Sequence, residues 1–200
     1  MTTKLTEMRL RALHVPPWND YFPSRGEMNP AIAWMLAKEI NTRGLCKAAW
    51  EPFAGHTGSN KSIPDMLRGD IFLIAHDIAP CDERVVKADS TKQGPGQTIG
   101  AILWHPPYFG CTPMSDEPNE VSKWTQWHNY LTALTECRNL GLACLEKGGL
   151  VCAVGRDYRT RGNRVRLHED FLALFESAGC ELEEVWSSIP DIVLILRKTI

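Results

Sequence analysis

A histidine, two prolines and two aromatic residues, His105-Pro106-Pro107-Tyr108-Phe109, close an apolar run that reads as a buried strand, Ile102-Leu103-Trp104. Proline has no backbone N–H and a fixed φ, so the strand stops there and neighbouring carbonyls are left free. In open α/β sheets ligands sit at that end of the strands. A free carbonyl accepts a hydrogen bond from an amino group, and an aromatic ring offers a planar group a face to stack on. His105 accepts or donates according to its tautomer. About fifty residues earlier, Glu51-Pro52-Phe53-Ala54-Gly55-His56-Thr57-Gly58 joins an acid to a glycine turn, where backbone can approach a ligand closely. Asp77 and Asp89 each follow a short apolar run, which puts two more acids at successive strand ends. Arg156, Arg159, Arg161, Arg164 and Arg166 fall within eleven residues broken by Gly155 and Gly162. Guanidinium groups so spaced suit bidentate contact with phosphates.

Alternating elements must position these groups. Asn29 as N-cap and Pro30 in the first turn open a helix over Ala31 to Ile40, where apolar residues recur at helical spacing. Short apolar runs at 48–50, 71–75, 85–89 and up to His105 read as buried parallel strands. A helix is expected from Ser59 to Leu67. A long one is expected from Val121 to Leu145, closed by Gly148-Gly149 and followed by a strand over Leu150 to Val154. The arginines then form a loop, a helix spans His168 to Ala178, and strands at 182–186 and 192–196 end the chain as an antiparallel pair. Strand alternation points Trp104 into the core, and Trp124 and Trp127 lie early in the long helix. This is a Rossmann-like α/β sandwich with a mostly parallel sheet and helices on both faces.

With 44% hydrophobic and 23% charged residues, the 200-residue chain has the composition of one globular domain. No apolar stretch approaches the roughly 18–20 residues that span a bilayer, and the first residues do not form a secretory signal. Seven cysteines without a Cys-x-x-Cys pair fit reduced thiols rather than a disulfide framework or metal site. A cytoplasmic location is expected. The net charge of −2 excludes binding by bulk positive charge but leaves room for a local basic stripe.

The Pro-Pro-Tyr stop resembles the tetrapeptide of S-adenosylmethionine-dependent amino-methyltransferases, whose first residue is usually Asp, Asn or Ser rather than His. The Glu51–Gly58 segment resembles their first cofactor signature, with Glu for Asp and the second glycine one place late. The resemblance covers about residues 20–196. It implies a class I methyltransferase with a seven-stranded sheet. It assigns His105, Pro106, Pro107 and Tyr108 to the target amine, and Glu51, Pro52, Phe53, Gly55, Gly58, Asp77 and Asp89 to the cofactor. Glu51 would receive the cofactor's ammonium, Asp77 its ribose and Asp89 its adenine. Residues 1–28 would pack over that site through Phe22 and Pro23. Phe109, Arg156, Arg159, Arg161 and Arg164 would contact nucleic acid, with DNA the expected partner and an adenine N6 or cytosine N4 the expected target. No metal is implied. An RNA guanine, a protein glutamine amide, or an inactive relative that only binds cofactor or nucleic acid are the alternatives. With no separate target-recognition domain, specificity would be low, short, or carried by a homodimer.

Overall fold

The computed structural model describes residues 10–12, 28, 30–43, 48–55, 71–80, 82–111, 113–160, 162–188 and 191–200. Helix α1 (Pro30–Thr42) begins at the expected proline. Strands β2 (Ala48–Glu51), β3 (Phe72–Asp77), β4 (Val85–Lys87) and β5 (Ile99–Trp104) are the four apolar runs, each parallel to its neighbours. They are followed by α2 (Trp127–Cys144), β6 (Leu145–Thr160), β7 (Asn163–Arg166), α3 (Leu167–Glu176), β8 (Cys180–Ser188) and β9 (Asp191–Lys198).

The sheet runs β1-β8-β9-β6-β5-β2-β3-β4, where β1 (Leu10–Ala12) pairs in parallel with β8. The C-terminal pair is antiparallel: β9 lies between β6 and β8 and opposes both. From β2 the chain steps outward to β3 and β4, then returns across β2 to β5. That reversal opens a crevice at the C-terminal ends of β2 and β5, the usual ligand position in such sheets.

Strand alternation divides the core into two layers. Trp50, Ile102, Trp104, Val151 and Leu194 face α2 and α3, packing on Tyr130, Leu134, Phe171 and Phe175. Ala49, Leu103, Cys152, Val193 and Ile195 face α1 through Ile32, Leu36 and Ile40. Each large apolar side chain so buried contributes about 1.5–3 kcal/mol. Gly141 lets α2 approach the sheet: a Cβ there would lie 2.6 Å from Trp50 and 2.9 Å from Ile102.

Three local expectations are corrected. The long helix is split into a 3-10 turn (Val121–Lys123) and α2, because Trp124 and Gln126 are extended (ψ 132° and 126°). Glu120 draws that chain aside, its carboxylate accepting the Met114 and Ser115 amides and the Ser122 hydroxyl. Second, α2 ends at Cys144, next to the expected Leu145, but Gly148-Gly149 lies within β6 rather than closing the helix. The Gly148-Gly149 segment bulges from the sheet, since Ile99 pairs with Leu145 but Ala101 with Leu150. Third, Arg156, Arg159, Arg164 and Arg166 sit not on a loop but on the paired strands of a β6–β7 hairpin, in which Arg159 faces Arg164. The expected helix at 59–67 lies outside the described residues. No helix among the described residues is long and apolar enough to cross a membrane.

Candidate active site

The turn after β2 is fixed by its neighbours at the crevice. Ala54 N–H donates to the His76 carbonyl (2.9 Å) and Gly55 N–H to Asp77 Oδ2 (2.8 Å). Gly55 adopts φ 69°, which favours glycine, and a Cβ there would meet nothing within 4 Å. The Ser90 hydroxyl donates to the Pro52 carbonyl (2.7 Å), joining the loop after β4 to the same turn. The Phe53 ring meets Trp104 edge-on at 5.4 Å, next to His105. Glycine bend, acidic strand ends and double-proline stop therefore share one sheet edge.

Glu51 is 1% exposed, and neither carboxylate oxygen has a hydrogen-bond partner among the described residues. Burial, and then the charge of Asp77, push its pKa well above the ordinary carboxyl range. Asp77 instead spends lone pairs on backbone, accepting from Gly55 and Ala79. Burial alone would raise the Asp89 carboxyl, but Lys92 and Thr91 outweigh it and hold it below its usual range. Phe22, Pro23, Gly58 and Arg161 lie outside the described residues.

At the end of β5, the Pro106 carbonyl receives no hydrogen bond from a described residue. The next carbonyls are engaged: Tyr130 donates to Pro107 (3.1 Å) and Tyr158 to Phe109 (2.8 Å). Among the described residues the Pro106 carbonyl is thus left available as an acceptor at the proline stop. His105 is half-buried, and burial together with the positive charge of Arg156 pushes its pKa down to about 4. The imidazole is neutral at neutral pH. Its Nε2 lies 3.5 Å from the Tyr108 hydroxyl, with the rings nearly perpendicular. One face of Tyr108 stacks on Tyr158 (5.4 Å, 17°), and the guanidinium of Arg156 lies 5.8 Å from its centroid.

The hairpin arginines divide by direction. Arg156 turns inward, its Nε and Nη2 2.8 and 2.7 Å from Asp191 Oδ1. Arg164 is exposed and pairs with Asp157 at 2.6 Å. Arg159 is exposed and makes no ion pair with any described residue. Phe109 is buried against Trp127 and Tyr130. With Trp127, Arg164 and Arg166 it lines a cavity of about 600 Å³ between the hairpin and α2. Trp104 is fully buried, as strand alternation requires, while Trp124 and Trp127 are partly buried against the same core.

Sequence reasoning missed Tyr130, Tyr158, Ser90 and Asp191. Tyr158 had a signal, an aromatic two residues beyond Arg156 on what proves to be the same strand face. Asp191 had none, because its partner is 35 residues away.

No protein-family profile and no curated relative matches the sequence. Among solved structures the chain is similar to TrmN from Thermus thermophilus, with TM-score 0.57 and 17% identity over 87% of this chain. It spans 50% of that protein's length. It is similar to NSun6 from Pyrococcus horikoshii, solved with SFG, with TM-score 0.58 and 16% identity over 90% of this chain and 57% of that one. It is also similar to the N-methyltransferase NodS from Bradyrhizobium japonicum WM9, with TM-score 0.56 and 10% identity over 84% and 94% of the two chains. The fold is the class I S-adenosylmethionine-dependent methyltransferase fold.

Proposed function

We propose that the chain is an S-adenosylmethionine-dependent methyltransferase acting on an amino nitrogen, with an adenine N6 or cytosine N4 of DNA as its target. The free Pro106 carbonyl beside a neutral His105, on the sheet edge shared with Glu51 and Gly55, is the observation that carries this reading. The residues present fit the cofactor. A buried carboxylate with no partner among the described residues suits an ammonium group, and the space that the described residues leave at Gly55 suits a ligand pressed against backbone. Asp77 and Asp89, at the next two strand ends, would take the cofactor's ribose hydroxyls and adenine amino group. Bound, the cofactor supplies an electrophilic methyl group on a sulfonium.

The chain's own work is orientation and polarisation. An aromatic amine delocalises its lone pair into the ring, which weakens it as a nucleophile. Acceptance of an amine hydrogen by the Pro106 carbonyl draws the nitrogen toward sp³ geometry and aims the lone pair outward. The Tyr108 ring, held by Tyr158 and Arg156, would position the target, and a base from a duplex must be flipped out to reach it.

A specific observation favours a second reading. Arg156 and Arg164 already pair with Asp191 and Asp157, which leaves less free charge for a phosphate backbone and suits an uncharged target such as a glutamine amide. One assay separates the two. With methyl-labelled cofactor, label is expected in unmodified DNA and is lost in Tyr108→Ala while cofactor binding survives. Cofactor binding with label only in protein overturns the DNA reading, and absence of cofactor binding overturns both.

A further inference from the structure

We propose that the cavity between the β6–β7 hairpin and α2 is a second binding site, suited to an unpaired guanine that adjoins the target in the same strand. This rests on the DNA reading and extends it to a second base. The cavity holds about 600 Å³, within the range of small-molecule sites. It adjoins the proline stop, because Phe109, which directly follows Tyr108, forms part of its wall. Phe109 meets Trp127 edge-on at 5.0 Å, and both rings line the cavity, which gives a planar ligand an apolar wall. Arg164, Arg166, Glu169 and Asp170 line it as well. Arg166 and Glu169 neutralise one another at 2.8 Å. Arg164 spends only Nη2, on Asp157, so its other guanidinium hydrogens find no acceptor among the described residues. Asp170 accepts no hydrogen bond from a described residue, and burial, then the charge of Glu169, raise its pKa. A group that donates and a group that accepts thus line the same cavity with partners to spare.

That pair selects among planar ligands. A carboxylate has two oxygens and binds best where two N–H groups lie side by side. Among the four bases of DNA only guanine offers this, in N1–H and the 2-amino group. Adenine and cytosine set one amino group beside a ring-nitrogen lone pair, which repels the second oxygen. Thymine has a single N–H between two carbonyls. A guanidinium fits another edge of the guanine ring, where O6 and N7 both accept. In a duplex the N1–H edge is already paired, so the base that enters is unpaired, as a strand opened to release its target provides.

Calorimetric titration of the full chain with deoxynucleoside monophosphates, in the presence of S-adenosylhomocysteine, tests the cavity without methyl transfer. dGMP is expected to bind about tenfold or more tightly than dAMP, dCMP or dTMP. It should also bind roughly tenfold more tightly than deoxyinosine monophosphate, which lacks the 2-amino group. Asp170→Asn should erase that last difference while melting stays native. No dGMP binding at millimolar concentration, equal binding of the guanine and inosine nucleotides, or a difference that survives in Asp170→Asn overturns the proposal. Methyl transfer to single-stranded oligodeoxynucleotides then tests the place of the guanine in the strand. With guanine on the 5′ or the 3′ side of the target, transfer should exceed that with inosine there several-fold, and equal transfer on both sides overturns that placement. If dGMP binds as expected and no oligodeoxynucleotide is methylated, the DNA reading fails instead and the occupant is a free guanine nucleotide.

Discussion

Replacing Asp191 by asparagine separates the support of Tyr108 from the stability of the fold. Asp191 is 6% exposed and its Oδ1 takes two guanidinium N–H groups from Arg156. Charge-assisted bonds of this kind contribute about 1.5–3 kcal/mol in total. Yet burial holds the Asp191 carboxyl above its ordinary pKa in spite of Arg156, so desolvation of the anion offsets what the pair returns. Asparagine keeps the shape and one acceptor while removing that desolvation cost. The net change in stability should stay within about 1 kcal/mol, a melting shift of roughly 2–4 °C in a chain of this size. Arg156, released on one side, is no longer held over the Tyr108 ring, and target positioning suffers. Methyl transfer measured against DNA concentration should show a KM raised several-fold or a rate roughly tenfold lower, with cofactor affinity by calorimetry unchanged. Native transfer in a variant with native melting would refute the bracing argument. So would a loss of cofactor binding, because Asp191 lies on β9, two strands from β5.

Other perturbations follow from the same geometry. Glu51→Gln should weaken binding of S-adenosylmethionine by calorimetry. Because the folded pKa of Glu51 is raised, the native chain loses stability as pH climbs above the ordinary value of 4.5, and the variant's melting temperature should fall less over that range. His105 has the opposite sign. With a folded pKa of about 4 against 6.5, the unfolded chain takes up a proton that the fold refuses as pH falls across that window. The cost is on the order of 3 kcal/mol, and the melting difference between native protein and His105→Asn should change between those pH values. Gly141→Ala gains about 1 kcal/mol of helix propensity but forces a Cβ to 2.6 Å from a fully buried Trp50. Overpacking typically costs about 1–3 kcal/mol, so chemical denaturation should show net destabilisation.

The sequence carried the order of elements because each central strand is an uninterrupted apolar run and each break falls at proline, glycine or a carboxylate. The turn at Gly55 and the stop at Pro106 were legible for the same reason: backbone constraints are local. Partnerships across the sheet were not. Nothing near Tyr108 indicates that Tyr158 covers one of its faces, and nothing near Arg156 announces Asp191. The split of the long helix was hidden because Val121 and Trp124 match helical spacing, while the competing bonds to Glu120 come from residues on both sides of it in the chain. The arginine cluster read as loop because its charges and two glycines mask the alternation of Arg156, Tyr158 and Thr160 against Asp157 and Arg159.

Beyond its bulge, strand β6 pairs without interruption from Leu150 to Thr160, so one stretch of strand runs from the middle of the sheet to the tip of the hairpin. Its buried half is clamped between β5 and β9, and its outer half carries Arg156 and Tyr158, which touch the Tyr108 ring. A beam anchored at one end transmits force applied at the other. Under the proposed function, a change at Gly162 on the hairpin tip should therefore alter methyl transfer through Tyr158 while cofactor affinity by calorimetry stays the same.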